Sequence, residues 1–207
     1  MAEQEQQQEQ AAKDVEHADV EEEEEDNPNY KPPAPKKLDD IVNQDQDDES
    51  LVKYKQALLG QGSKDIIHDP NNKLNCIIQK LSLLVEGRDE VSIDLTKPEE
   101  EIKNESFTIK EGCKYQIKIY FLVQREIVTG LKYVHKVFRK GIKVDSMSQM
   151  MGSYGPKVEL QSFTTQQEEA PSGMIMRGDY KIKSCFYDDD KIYYAHWEWH
   201  LAVKKDW

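Results

Sequence analysis

Two imidazoles and a carboxylate recur at alternate positions near the C-terminus: His196, Glu198 and His200. In a β-strand that spacing puts all three on one face, and by type they are zinc ligands. Alternate strand residues stand about 7 Å apart, however, which is awkward for ligands that must converge on one ion. A solvated strand face is therefore expected, with no metal. HExxH, GxSxG and GxxxxGKS/T are all missing, so the common hydrolase and nucleotide-binding constellations are absent, and neither an enzyme nor a cofactor is expected. Arg177-Gly178-Asp179 would be an adhesion signal in a secreted domain; without an export signal it reads as a turn opened by Gly178. Two acidic clusters remain, Glu168-Glu169 before Ala170-Pro171 and Asp188 to Asp190. Acidic turns are usually just solvated.

These groups must be carried by elements. From about Asn72 onward the pattern has period two: Leu81, Leu83 and Val85; Val91, Ile93 and Leu95; Tyr115, Ile117, Ile119, Phe121 and Val123. Further strands are expected near Phe107, at 131–138, 157–163, 180–186 and 192–203, separated by clusters such as GSYGPK and DDDK. Eight or nine short strands of this spacing predict an all-β, immunoglobulin-like antiparallel sandwich. On the last strand, Tyr193, Ala195, Trp197, Trp199, Leu201 and Val203 face one way, and Tyr194, His196, Glu198 and His200 the other. A sandwich core is only about 10 Å thick, so two inward indoles either fill it or prop the sheets apart around a ligand. Spacing alone leaves both outcomes open.

Three segments follow from composition. Residues 1–29 are rich in Gln and Glu, carry the run Glu21 to Glu25, and hold no aromatic residue, so they are expected to be a disordered acidic tail. Residues 30–72 form an arm. YKPPAPKK (30–37) is a basic, extended tether, a short helix is expected around Leu38, Ile41 and Val42, and a second over 47–60. The second helix has Asp47 or Asp48 as cap, Leu51, Tyr54, Leu58 and Leu59 at helical spacing, and Gly60 as stop. Helices this short persist only when docked on something. The sandwich is expected over 73–207.

The 207-residue chain carries a net charge of −12, which disfavours nucleic acid and anionic lipid and suits a basic partner surface. No apolar run is long enough to span a bilayer, and MAEQEQQQEQ lacks the features of a signal peptide, so a cytosolic location is expected. Three cysteines, Cys76, Cys113 and Cys185, with no CxxC spacing point to reduced thiols.

Several blocks in order, YKPPA (30–34), DDESLVKYKQALLG (47–60), REIVTGLKY (125–133), RKGIKVD (139–145), GSYGPK (152–157), EEAPSGM (168–174) and DDDK with WEWHLAVKKDW, closely resemble the Rho GDP-dissociation inhibitors. The resemblance runs from about Asn29 to the C-terminus. It implies a non-enzymatic regulator that binds prenylated Rho-family small GTPases (Rho, Rac and Cdc42-like), preferring the GDP-bound form, as a 1:1 heterodimer. The helical arm would lie on the switch regions and block nucleotide release, while the sandwich takes the geranylgeranyl tail and so extracts the GTPase from membranes. Carried over by matching motif, the switch contacts are Asp48, Ser50, Tyr54 and Asp190. The prenyl pocket is Leu83, Phe107, Tyr115, Ile127, Ile182 and Trp199, and Glu168 and Glu169 meet the basic segment before the prenylated cysteine. Trp199 is thus expected to wall the pocket and Trp197 to be core.

Residues 61–75 and 86–91 match poorly. His200 stands where a small polar residue is expected, and Asp179 where a serine is, which removes one phosphorylatable position. Two other readings fit the residues: a lipid carrier that ignores nucleotide switches, and a metal enzyme built on His196, Glu198 and His200.

Overall fold

Alternation sets the sheets, and where it slips the backbone bulges. The computed structural model describes residues 48–53 and 66–207. The expected tail, the tether at 30–37, the helix around Leu38, Ile41 and Val42, and Tyr54, Leu58, Leu59 and Gly60 all lie outside the described residues. Helix α1 (49–53) is capped by Asp48, whose Oδ1 accepts the N–H groups of Ser50 (2.8 Å) and Leu51 (3.2 Å).

The strands are β1 (Cys76–Val85), β2 (Val91–Asp94), β3 (Ser106–Lys110), β4 (Lys114–Val123), β5 (Val128–Arg139), β6 (Ile142–Tyr154), β7 (Gln161–Thr164), β8 (Glu168–Glu169), β9 (Gly178–Tyr187) and β10 (Tyr193–Lys204), with α2 (Glu99–Ile102) between β2 and β3. One sheet runs β2-β1-β4-β7, with β8 also paired to β4; the other runs β3-β10-β9-β5-β6. All pairings are antiparallel except β3 with β10. The inner faces of both sheets share one apolar core, from Leu81, Ile117, Ile119 and Phe121 on one side to Phe107, Tyr133, Phe186 and Trp199 on the other. The immunoglobulin-like sandwich expected from the pattern is what forms.

On β4, Ile117, Ile119, Phe121 and Val123 are buried and alternate with partly exposed residues. On β1, Cys76 and Ile78 are buried at even positions but Leu81 and Leu83 at odd ones, because a bulge between Ile78 and Lys80 shifts the phase. The same happens on β10. A register shift between Tyr193 and Ala195 buries Tyr194, which strict alternation would have turned outward. Strand β6 was not among the expected strands; its first five residues are all exposed, and Gln149 stands between Met147 and Met151, the two methionines it turns to the core, so no apolar alternation reveals it.

Residues 66–75, which precede β1, are tied to the sandwich by the buried amide of Gln124. Its Oε1 accepts the N–H groups of His68 and Asp69, both at 3.0 Å, and its Nε2 donates to the carbonyls of Asn72 (3.0 Å) and Leu74 (2.7 Å).

Candidate functional site

The two tryptophans of β10 point into the same interior and do different things there. Trp197 stacks on Phe186 (5.3 Å between ring centres, 16°) and beyond it on Tyr133 (6.5 Å, 15°). It is a plate in a filled aromatic layer, and its indole N–H is buried with no partner. Trp199 meets Phe107 edge-on (5.4 Å, 76°), and its Nε1–H donates to Ser184 Oγ at 3.0 Å.

Trp199 also walls a cavity of about 220 Å³, together with Leu83, Tyr115, Ile117, Ile182 and Leu201. Both tryptophans face inward, one in packed core and one on open space. Of the residues carried over by resemblance, Leu83, Tyr115, Ile182 and Trp199 surround this cavity. Phe107 does not reach it but backs Trp199 from behind. Ile127 does not line it either; it is half-buried in the turn between β4 and β5.

One polar chain ends in the cavity wall. Ser184 Oγ, which accepts from Trp199, shares a second hydrogen bond with Tyr133 Oη at 3.2 Å, and Tyr133 Oη shares another with Nδ1 of His135 at 3.2 Å. His135 lines the cavity. Burial lowers its pKa to about 4, against a smaller opposing effect of Asp145, so the ring is neutral at pH 7. Sequence reasoning passed over Ser184 and His135, since a period-two reading counts apolar side chains. The signal available was a polar residue at an inward position of a buried strand.

The acidic pair sits at the cavity's edge because β8 pairs with the start of β4, Glu168 opposite Tyr115 and Glu169 opposite Lys114. Tyr115 Oη donates to Glu168 Oε2 at 2.7 Å, and burial, with Glu168 second, pushes the Tyr115 hydroxyl pKa upward. Glu169 is exposed and lines the cavity. An apolar slot with carboxylates on one lip can take a hydrocarbon chain attached to a basic segment.

The second acidic cluster is not merely solvated. Asp188 is buried and organises the turn between β9 and β10. Its Oδ1 accepts the N–H groups of Asp190 (3.0 Å) and Ile192 (2.9 Å), and its Oδ2 accepts Tyr194 Oη at 2.5 Å. That leaves Asp189 exposed and Asp190 half-buried. Desolvation, then Asp188 and Asp189, raise the Asp190 pKa. Gly130 supports the turn from β5: its φ is +60°, and a Cβ there would sit 1.8 Å from Asp189 Oδ2. Trp199 is six steps along the strand from Tyr193, so this turn lies roughly 20 Å of strand away from the cavity wall.

Ser50 stands on α1 and Asp48 caps it from the position before; Tyr54 lies outside the described residues. Glu198, on the outer face of β10, is engaged by Lys181 (2.6 Å) and Lys183 (3.7 Å), and among the described residues no group of three His, Cys, Asp or Glu side chains is placed to hold a metal. The three cysteines are free. Burial raises the Cys76 pKa and takes Cys185 up to about 12, so neither is a nucleophile at neutral pH. Among the described residues no helix is long and apolar enough to cross a membrane.

Residues 15–206 match the model of the family described as RHO protein GDP dissociation inhibitor. The chain is 49% identical over 180 residues to Rho GDP-dissociation inhibitor 1 of Homo sapiens, covering 86% of this chain and 87% of that protein. It is 46% identical over 178 residues to the probable rho GDP-dissociation inhibitor of Caenorhabditis elegans (86% and 92%). To Rho GDP-dissociation inhibitor 3 of Mus musculus it is 44% identical over 181 residues (87% and 79%).

Proposed function

From a chain that belongs to the Rho GDP-dissociation inhibitor family, we propose a working mechanism in which its two ends act on one prenylated Rho-family GTPase. The protein acts as a Rho GDP-dissociation inhibitor, a regulator of Rho-family GTPases. In the proposed mechanism the cavity takes the geranylgeranyl tail, Glu168 and Glu169 meet the basic segment before it, and Asp48, Ser50, Tyr54 and Asp190 contact the switch regions. The single observation that carries the reading is the cavity behind Trp199, edged by Glu169.

At about 220 Å³ that cavity is below the roughly 300–1,000 Å³ of pockets that enclose a drug-sized ligand. An isoprenoid of about twenty carbons must therefore widen it, parting the sheets where Trp199 and Ile182 of one face Leu83 and Ile117 of the other. Ile127 lies in the β4–β5 turn outside this cavity, so it joins the site only when the widening runs on through the core.

Burying so long a chain is worth on the order of 10 kcal/mol or more, at ~0.8 kcal/mol per methylene. A bilayer offers the same chain nearly the same gain, so the cavity alone extracts nothing. The difference has to come from contacts made only on the protein. The acidic pair competes with anionic lipid for the basic segment, and the arm adds a second contact whose effective concentration is set by the tether. Holding the switch regions then keeps GDP bound.

Residues 1–29 serve as an acidic tail, 30–72 as the regulatory arm and 73–207 as the ligand-holding sandwich. The complex is a cytosolic 1:1 heterodimer with the GDP-bound GTPase, and no chemistry is done on the partner. Loss of fluorescent GDP from a geranylgeranylated Rho GTPase, with and without this protein, tests the whole reading; unchanged release would end it. Replacing Asp48 and Asp190 separates it from a plain lipid carrier, which would lose no affinity.

A further inference from the structure

Large apolar side chains stand out in water around the mouth of the cavity. Met174 and Ile175 are each 83% exposed and Ile142 is 70% exposed, whereas contiguous exposed apolar surface in a soluble protein usually marks a contact. Met176 and Val144 belong to the same group and also line the cavity, so the exposed rim runs without a break into the cavity wall.

The fold holds these residues out. The carboxylate of Glu111 closes the turn at 173–177: Oε2 accepts Gly173 N–H and Arg177 Nε, both at 2.8 Å, and Oε1 accepts Arg177 Nη2 at 2.6 Å. Inside the turn, the N–H groups of Met176 (3.0 Å) and Arg177 (3.2 Å) both reach the Gly173 carbonyl. Arg139, at the tip of the β5–β6 hairpin, donates from Nη2 to the Arg177 carbonyl at 2.7 Å, fastening the second turn to the first. One edge thus carries Met174, Ile175 and Met176 from one turn and Ile142 and Val144 from the other. Charge follows the same division. The hairpin from 139 to 145 holds Arg139, Lys140 and Lys143 against Asp145 alone, in a chain whose net charge is −12.

We propose that this rim is a membrane-contact edge, which sets into the boundary between headgroups and acyl chains while the isoprenoid passes from lipid to cavity. The proposal rests on reading the cavity as the isoprenoid site. Apolar tips beside lysine and arginine are the composition that seats a surface in that boundary. Side chains carried on two turn tips offer prongs rather than the broad face that a protein partner would need. Their place at the cavity mouth brings the opening against the surface from which the chain must come.

The test uses the full chain, wild type and Met174→Ser/Ile175→Ser, with vesicles of phosphatidylcholine containing a minority of phosphatidylserine. Three quantities are measured: the rate at which a geranylgeranylated Rho GTPase leaves the vesicles, the affinity for a geranylgeranyl-cysteine peptide in solution, and the affinity for the unprenylated GTPase. The expected result is an extraction rate lowered about fivefold or more, with both solution affinities within about twofold of wild type. An unchanged extraction rate overturns the proposal. A matching loss of peptide affinity also overturns it by making the rim part of the isoprenoid site, and a matching loss of affinity for the unprenylated GTPase does so by making it a protein contact. If wild type fails to bind the peptide, the cavity reading itself is wrong. Pelleting of the free chain with vesicles then decides the edge: loss in the double variant supports it, and equal pelleting overturns it.

Discussion

The indole N–H of Trp199 donates to the hydroxyl of Ser184 across 3.0 Å, from the strand that pairs with its own. Trp199 and Ile182 stand opposite one another in that pairing, so the hydroxyl reaches along the strand to the neighbouring position. Removing the acceptor strands a buried donor and cuts Tyr133 off from the chain. Ser184→Ala is expected to lower stability by about 1–3 kcal/mol in urea unfolding. Ser184→Thr, which restores a hydroxyl, should recover part of that loss.

Trp199 and Trp197 should part company on ligand binding. Either change to Ala destabilises, by about 3–5 kcal/mol for a buried tryptophan. Only Trp199→Ala also alters the cavity wall. Among molecules that remain folded, it should weaken binding of the prenylated GTPase by about tenfold or more and leave the unprenylated form near wild type. Equal losses for both forms would return Trp199 to plain core.

Asp188 and Asp190 sit two residues apart and should fail in different assays. Asp188→Ala leaves the Tyr194 hydroxyl and two backbone N–H groups without an acceptor, so a loss of about 3 kcal/mol or more in folding stability is expected. Asp190→Asn keeps the turn, since its side chain accepts none of those bonds. Thermal unfolding should be unchanged while inhibition of GDP release weakens.

His135 gives the protein a pH signature. Its folded pKa of about 4 lies below the unfolded value of about 6.5, so the unfolded chain binds the extra proton between these limits. Stability should therefore fall as pH drops from about 6.5 to about 4, by roughly 3 kcal/mol from this group, and level off below. Asp145 and Tyr133 are the titratable neighbours, and Asp145 acts the other way. His135→Gln should flatten that stretch of the unfolding curve; an unaltered slope would show that the ring titrates normally.

Much of the scaffold was legible because its strands obey period two: β4 and the run from Ala195 to Val203 present the inward residues that alternation assigned. Tyr194 escaped because a bulge changes parity through backbone geometry, which side-chain pattern does not record. Strand β6 escaped because Ile142 and Val144 face water. Spacing placed Trp197 and Trp199 on one face but could not show that one fills a layer and the other borders open space; that depends on Phe186 and Tyr133, far away in sequence. Asp188 reads as solvated because acidic turns usually are, and the tyrosine that buries it, Tyr194, falls by alternation on the outer face. Leu83, Tyr115 and Ile182 were reached through family resemblance, and no periodicity separates a cavity wall from a core.

The most direct test is the rate of fluorescent GDP release from a geranylgeranylated Rho GTPase titrated with the full chain, run beside the unprenylated GTPase. Release should slow by about tenfold or more and saturate at one inhibitor per GTPase, with the prenylated form bound at least about a hundredfold more tightly, a small part of the energy of burying its tail. Release that does not slow, or slows equally with and without the prenyl group at the same inhibitor concentration, would contradict the cavity behind Trp199 as the seat of recognition.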